Sequence, residues 1–218
     1  MKITFLSFLL IFLIPFAVIK SQGLYGFNSA YAEKTTETNT AGIIVKTSKK
    51  IYINDKGNLV RREIEQEQSI PMMNQTIKSR SISITDKDYI ITWDPDTNTG
   101  TRMKNPVDDA FQDMSEEHAQ QFGEDMTDAM DTEITEVGTG EVAGVMCTIN
   151  KAVTNMMGMV IETTTWTYKN FLMKSISEGT VTNNEKVTLF NEGVNNDPGF
   201  FIPPNNVSIT DVSSPVGN

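Results

Sequence analysis

The chain has 218 residues, 39% hydrophobic, 8% aromatic and 21% charged. That is enough apolar material for one packed domain and too little charge density for a disordered polyelectrolyte. Beyond residue 32 there are 16 basic against 28 acidic residues, a net charge of -12, which argues against a nucleic-acid binder, because duplex affinity rests on clustered Lys and Arg. One Cys and one His exclude an intrachain disulfide and a structural Cys/His zinc site, and leave His118 as the sole histidine for catalysis.

Met1 and Lys2 precede an apolar run from Ile3 to Ile19, and Ser29, Ala30, Tyr31 and Ala32 follow before Glu33. Small residues at Ala30 and Ala32 suit a peptidase that reads the positions one and three before its cut, so residues 1–32 read as a bacterial export signal peptide cleaved after Ala32. The alternative is an uncleaved amino-terminal anchor. No Cys lies near the cut to accept lipid, and the expected location is periplasmic or secreted. Residues 33–40 are polar and Thr-rich, and read as a flexible leader.

Strand signals begin at Ala41. Ile51–Ile53 and Leu59–Ile64 flank Asn54, Asp55, Lys56, Gly57 and Asn58, which supply the turn chemistry of a β-hairpin. Ile77–Thr85 and Asp88–Trp93 are two more strands joined tightly through Asp86 and Lys87. The stretch Asp94–Gly100 has alternating oxygen donors like the start of a calcium loop, but Thr99 stands where Gly is needed and Asn105 where a bidentate Glu is needed, so it reads as a turn.

Asn105 and Pro106 open the helical region, with a cap, a first-turn Pro and a first-turn Asp108. Val107, Ala110, Phe111 and Met114, then Ala119, Phe122, Met126, Ala129 and Met130, recur at helical spacing, and predict two helices over 106–114 and 116–131. Nine acids and no Lys or Arg lie between Asp108 and Asp131. His118 sits among them without a nucleophilic partner, so it reads as a helix-surface residue.

Gly138, Gly140 and Gly144 have the wrong spacing for a phosphate loop and read as a turn or bulge in a sheet. Ala143, Val145, Cys147 and Ile149 alternate with less apolar neighbours, placing Cys147 on a buried strand face. Met156–Tyr168, Phe171–Ser177 and Lys186–Phe190 complete the strands, and 205–218 is a polar tail. Met72, Met73, Met156, Met157 and Met159 read first as core filling, second as a ligand cavity and third as a soft Cu(I) site.

Strands, a helical insertion and strands again predict an α+β fold: a strongly curved antiparallel sheet, an incomplete β-barrel, wrapping a helical segment at about 106–131. The series Lys50–Gly57, Arg61–Glu63, Asp88–Asp96, Gly140–Cys147 and Phe201–Pro203 resembles the LolA/LolB-like group of exported bacterial proteins and related secreted domains of unknown function, over about residues 41–204. The resemblance implies an apolar cavity between sheet and helices that holds a lipid or a lipoprotein acyl chain. The family's ligand-responsive arginine is not assigned to Arg61 or Arg62. Trp93, Phe111, Phe122, Met126, Met130 and Trp166 are the candidate cavity residues. The expected function is that of a monomeric, non-enzymatic binding protein without cofactor or metal, whose partner is an apolar ligand or lipoprotein acyl chain and not nucleic acid. The alternative is an envelope structural or sensory module that binds a protein partner.

Overall fold

Threonine, isoleucine and valine recur along this chain at alternate positions, and β-branched side chains fit a pleated surface better than a helix. The computed structural model describes residues 24–40, 42–71, 74–105, 132–156, 159–179 and 181–212. Twelve strands stand among them: β1 (Ala30–Thr40), β2 (Ile43–Asn54), β3 (Leu59–Ile70), β4 (Gln75–Thr85), β5 (Tyr89–Asp94), β6 (Thr99–Lys104), β7 (Thr132–Val142), β8 (Val145–Met156), β9 (Met159–Tyr168), β10 (Phe171–Glu178), β11 (Val181–Glu192) and β12 (Ser208–Asp211). They form one open sheet in the order β12-β6-β5-β4-β3-β2-β1-β11-β10-β9-β8-β7. All pairings are antiparallel except that of β12 with β6. The chain leaves near one edge of the sheet after β6 and re-enters at the other edge with β7.

The α+β expectation is overturned. Among the described residues the architecture is nearly all β, with no α-helix and no helical segment wrapped by the sheet. The region read as two helices, 106–131, lies outside the described residues. Two segments read as irregular add to the sheet. Residues 33–40 belong to β1, which pairs with β2 on one side and β11 on the other, and Ser208–Asp211 of the supposed tail form β12. Polarity concealed β1: Lys34, Thr36 and Thr38 alternate with Glu33, Thr35 and Glu37, a period of two without the apolar contrast that marks a half-buried strand.

Several turns follow the sequence chemistry closely. The β2–β3 connection is a 3-10 turn over Asp55–Gly57, with Gly57 at φ +95, where any Cβ would also meet the Tyr25 ring at 2.6 Å. Between β5 and β6, the Asp94 carboxylate accepts from the backbone N–H groups of Asp96 at 2.7 Å and Thr97 at 3.2 Å, which is an Asx turn. Ala143 and Gly144, both at positive φ, turn β7 into β8, and the register shifts between Glu136 and Gly138. The glycines thus make a turn and a bulge. Cys147 is 1% exposed, with burial pushing its thiol pKa up.

The core gathers at one end of one sheet face, called here the inner face. Registers place Ala30, Ile53 and Val60 side by side, then Ala32 between Ile51 and Phe190. The rings of Phe27, Phe171 and Phe190 meet edge-on or tilted at 5.6–6.0 Å, with Met173, Val187, Val142 and Cys147 in the same cluster. Gly100 on β6 lies opposite Trp93, where a Cβ would come within 2.4 Å of the Thr92 carbonyl oxygen. Gly100→Ala is therefore expected to push β6 off β5 and to cost about 1–3 kcal/mol, the range for overpacking. Urea unfolding followed by tryptophan fluorescence would measure it.

Candidate functional site

Strand alternation puts Arg61 and Arg62 on opposite faces, and their surroundings differ accordingly. Arg61, 9% exposed, has hydrogen-bond partners at all three guanidinium nitrogens. Its Nε and Nη2 donate to Glu63 Oε1 at 3.1 and 2.9 Å, its Nη1 donates to the Phe200 carbonyl at 2.8 Å, and its guanidinium lies 5.5 Å from the Trp93 ring centroid. Tyr52 stacks on Phe200 at 5.2 Å and meets Tyr31 at 5.1 Å. This outer arrangement fastens the 3-10 turn at Pro198–Phe201 to β3 and is structural.

Arg62 is on the inner face, beside Ile51 in register. Its Nη1 donates to Thr85 Oγ1 at 3.3 Å, and burial pulls its pKa below the ordinary arginine value, opposed by Tyr25. Among the described residues no carboxylate pairs with it. The next inner positions are Lys34 and Lys49, paired in register. Lys34 is 7% exposed, and its Nζ meets Glu185 Oε1 at 3.0 Å and stands 5.5 Å from the Phe171 ring centroid. Burial lowers its pKa, and Glu185 offsets part of that shift. Lys49 reaches the same carboxylate at 3.8 Å. The middle of the face thus holds three cations and one carboxylate.

Beyond them the inner face turns polar. One register row runs Asn150, Thr165, Ser175, Glu185, Thr36, Thr47, Gln66 and Ser79 across eight strands. The Thr36 hydroxyl in this row is buried without a hydrogen-bond partner among the described residues. In order from the apolar end, the face reads as packed apolar core, cations, then hydroxyls and amides. Apolar side chains return beyond that row, at Val45, Ile77 and Ile134, the last two exposed. Such a surface can hold an anion by charge and hydrogen bonds, since buried charge is stable when paired.

Of the residues expected to line a cavity, Phe111, Phe122, Met126 and Met130 lie outside the described residues. Trp93, 3% exposed, is on the outer face with Arg61. Trp166 packs against the core cluster under Lys174, whose Nζ is 4.2 Å from its ring centroid. Six strands stand between β5 and β9, which carry the two tryptophans. Among the described residues no group of three His, Cys, Asp or Glu side chains gathers as a metal site, and no helix is long and apolar enough to cross a membrane. Sequence reasoning missed Lys34, Lys49, Arg62 and Glu185. One signal was available: Arg62 alternates with Val60 and Ile64, so it occupies the apolar period of its strand.

No family model matches the chain, and no curated protein matches it in sequence. Comparison with solved structures found partial likenesses. An uncharacterized conserved protein from Thermus thermophilus is 11% identical with a TM-score of 0.49, the match covering 85% of this chain and 91% of that one. MucB, solved in complex with MucA(peri), is 11% identical with a TM-score of 0.42, covering 84% of this chain and 56% of that one. LprF from Mycobacterium bovis is 10% identical with a TM-score of 0.36, covering 85% and 92%.

Proposed function

We propose that the chain is an exported binding protein, without catalytic chemistry of its own, whose inner sheet face holds an anionic segment of a protein partner. The observation that carries this reading is Arg62, largely buried and lacking a carboxylate among the described residues, with Lys34 and Lys49 beside it. An arginine cannot shed its proton to escape burial, so a ligand carboxylate or phosphate that pairs with it recovers the cost of desolvation. The adjoining row of hydroxyls and amides suits a peptide backbone, which must exchange its hydrogen bonds with water for others on binding. The apolar end of the face is filled by the protein's own Phe27, Phe171 and Phe190.

A second reading, an anionic lipid or lipoprotein acyl chain, is favoured by Val45, Ile77 and Ile134 beyond the polar row. The two differ in what occupies the face. A photo-crosslinking side chain at Thr47, in cells that export the protein, should give one recurrent protein adduct that Arg62→Met reduces at least tenfold. Native mass spectrometry of the unmodified protein, purified from its own compartment, should show no bound lipid. A lipid adduct that persists through purification and disappears in Arg62→Met would establish the second reading. Absence of both adducts would sink the proposal.

A further inference from the structure

We propose that the export leader ends at Gly23, with the peptide bond cut between Gly23 and Leu24, and that Leu24–Ala32 is retained as a built part of the mature fold. This rests on the reading that the chain is exported. Ala30 and Ala32 are both fully buried, in a strand hydrogen-bonded on both sides. They are small because they pack: Ala30 lies between Ile53 and Glu192 in register, and Ala32 between Ile51 and Phe190. The small-residue pattern at Ala30 and Ala32 therefore has a packing cause that requires no peptidase.

The residues ahead of β1 are equally committed. The Tyr25 N–H donates to the Lys56 carbonyl at 2.9 Å, and the Gly26 N–H to the Lys169 carbonyl at 3.0 Å. Asn28 and Ser29 accept from the N–H groups of Lys56 and Gly193 at 2.9 and 2.8 Å. Phe27, 4% exposed, stacks on Tyr25 at 5.2 Å and meets Phe171 and Phe190 edge-on. The Tyr25 ring fills the space left open at Gly57. Asn196, 5% exposed, donates its Nδ2 to the Ala30 carbonyl at 3.1 Å. A cut after Ala32 would discard every one of these contacts together with the first three residues of a central strand.

Ser21 and Gly23 supply the alternative. Both are small, they stand three and one positions before Leu24, and they follow the apolar run ending at Ile19 by a short polar stretch. Cleavage there is hydrolysis of the Gly23–Leu24 amide, releasing residues 1–23 and leaving a free amine on Leu24.

Expression of the full chain in a bacterial host, followed by intact mass and amino-terminal sequencing of the exported fraction, should give a chain beginning at Leu24. Gly23→Arg should leave a precursor that keeps residues 1–23, while Ala32→Leu should leave processing unchanged, whether or not the product folds. A terminus at Glu33 overturns the proposal. A membrane-bound chain beginning at Met1 or its neighbour also overturns the cut and supports an anchor instead. A precursor confined to the cytosol would count against export itself and so is distinguishable from both.

Discussion

Phe27→Ala should lower stability by about 3–5 kcal/mol, the range for removing a buried aromatic ring, and lower Tm by about 10 °C in a chain of this size. The ring is 4% exposed and touches Tyr25, Phe171 and Phe190. Those partners come from three separate parts of the chain, so the space it leaves cannot close by a local shift. Phe27→Leu retains most of the buried area and should cost about 1.5 kcal/mol or less. Phe200, 44% exposed on the outer face, is the comparison, and its alanine variant should cost less than Phe27→Ala, because a smaller share of its ring leaves water on folding. Equilibrium urea unfolding at neutral pH would measure all three. A Phe27→Ala cost no larger than that of Phe200→Ala would show that the segment ahead of β1 is not part of the core.

The burial of Phe27, Ala30 and Ala32 gives this stretch of sequence a second physical explanation. Tyr25, Phe27, Ala30 and Ala32 follow an apolar run, and a pattern of small residues near such a run has two physical causes that look alike in one dimension. A peptidase needs small side chains before its cut, and a strand packed on both sides needs them where a larger group would collide. The register of β1 between β2 and β11 supplies the packing cause. The hairpins were more readable, because local chemistry fixes them: Gly57 at positive φ, the Asp94 carboxylate closing its own turn, and Ala143 with Gly144 reversing the chain. Cys147 followed from alternation alone. Long-range pairing was not readable. Nothing local in Lys34 or Glu185 says that residues 151 apart in sequence meet at 3.0 Å, and a polar strand such as β1 gives no hydrophobic period to detect. The cationic inner face was not legible for the same reason, since hydrophobic periodicity marks apolar side chains and this face carries cations and hydroxyls.

Glu185→Gln should cost about 3 kcal/mol at neutral pH, and that cost should shrink as the pH rises. Lys34 is 7% exposed and Glu185 is its close carboxylate. Removing one partner of a buried pair leaves the other charge uncompensated, which costs more than the intact pair contributes. The pH dependence follows from the direction of the lysine shift. Burial lowers the folded Lys34 pKa below 10.5, so between that lowered value and 10.5 the unfolded chain binds more protons than the folded one, and stability rises with pH. Glu185 acts to raise the Lys34 pKa. Its loss therefore lowers the folded value further and opens this window at lower pH. Once Lys34 is neutral in the variant, the missing carboxylate no longer leaves a bare charge, and the difference from wild type narrows. Lys34→Met combined with Glu185→Gln should recover most of the loss at neutral pH, because it removes both charges of the buried pair together. Glu37→Gln, which breaks the exposed pair with Lys46, should cost under about 1 kcal/mol at any pH in the range. Urea unfolding of these variants at pH 7, 9 and 10 would decide the matter: a cost for Glu185→Gln that stays constant across the series would mean that Lys34 is not the charge responding to it.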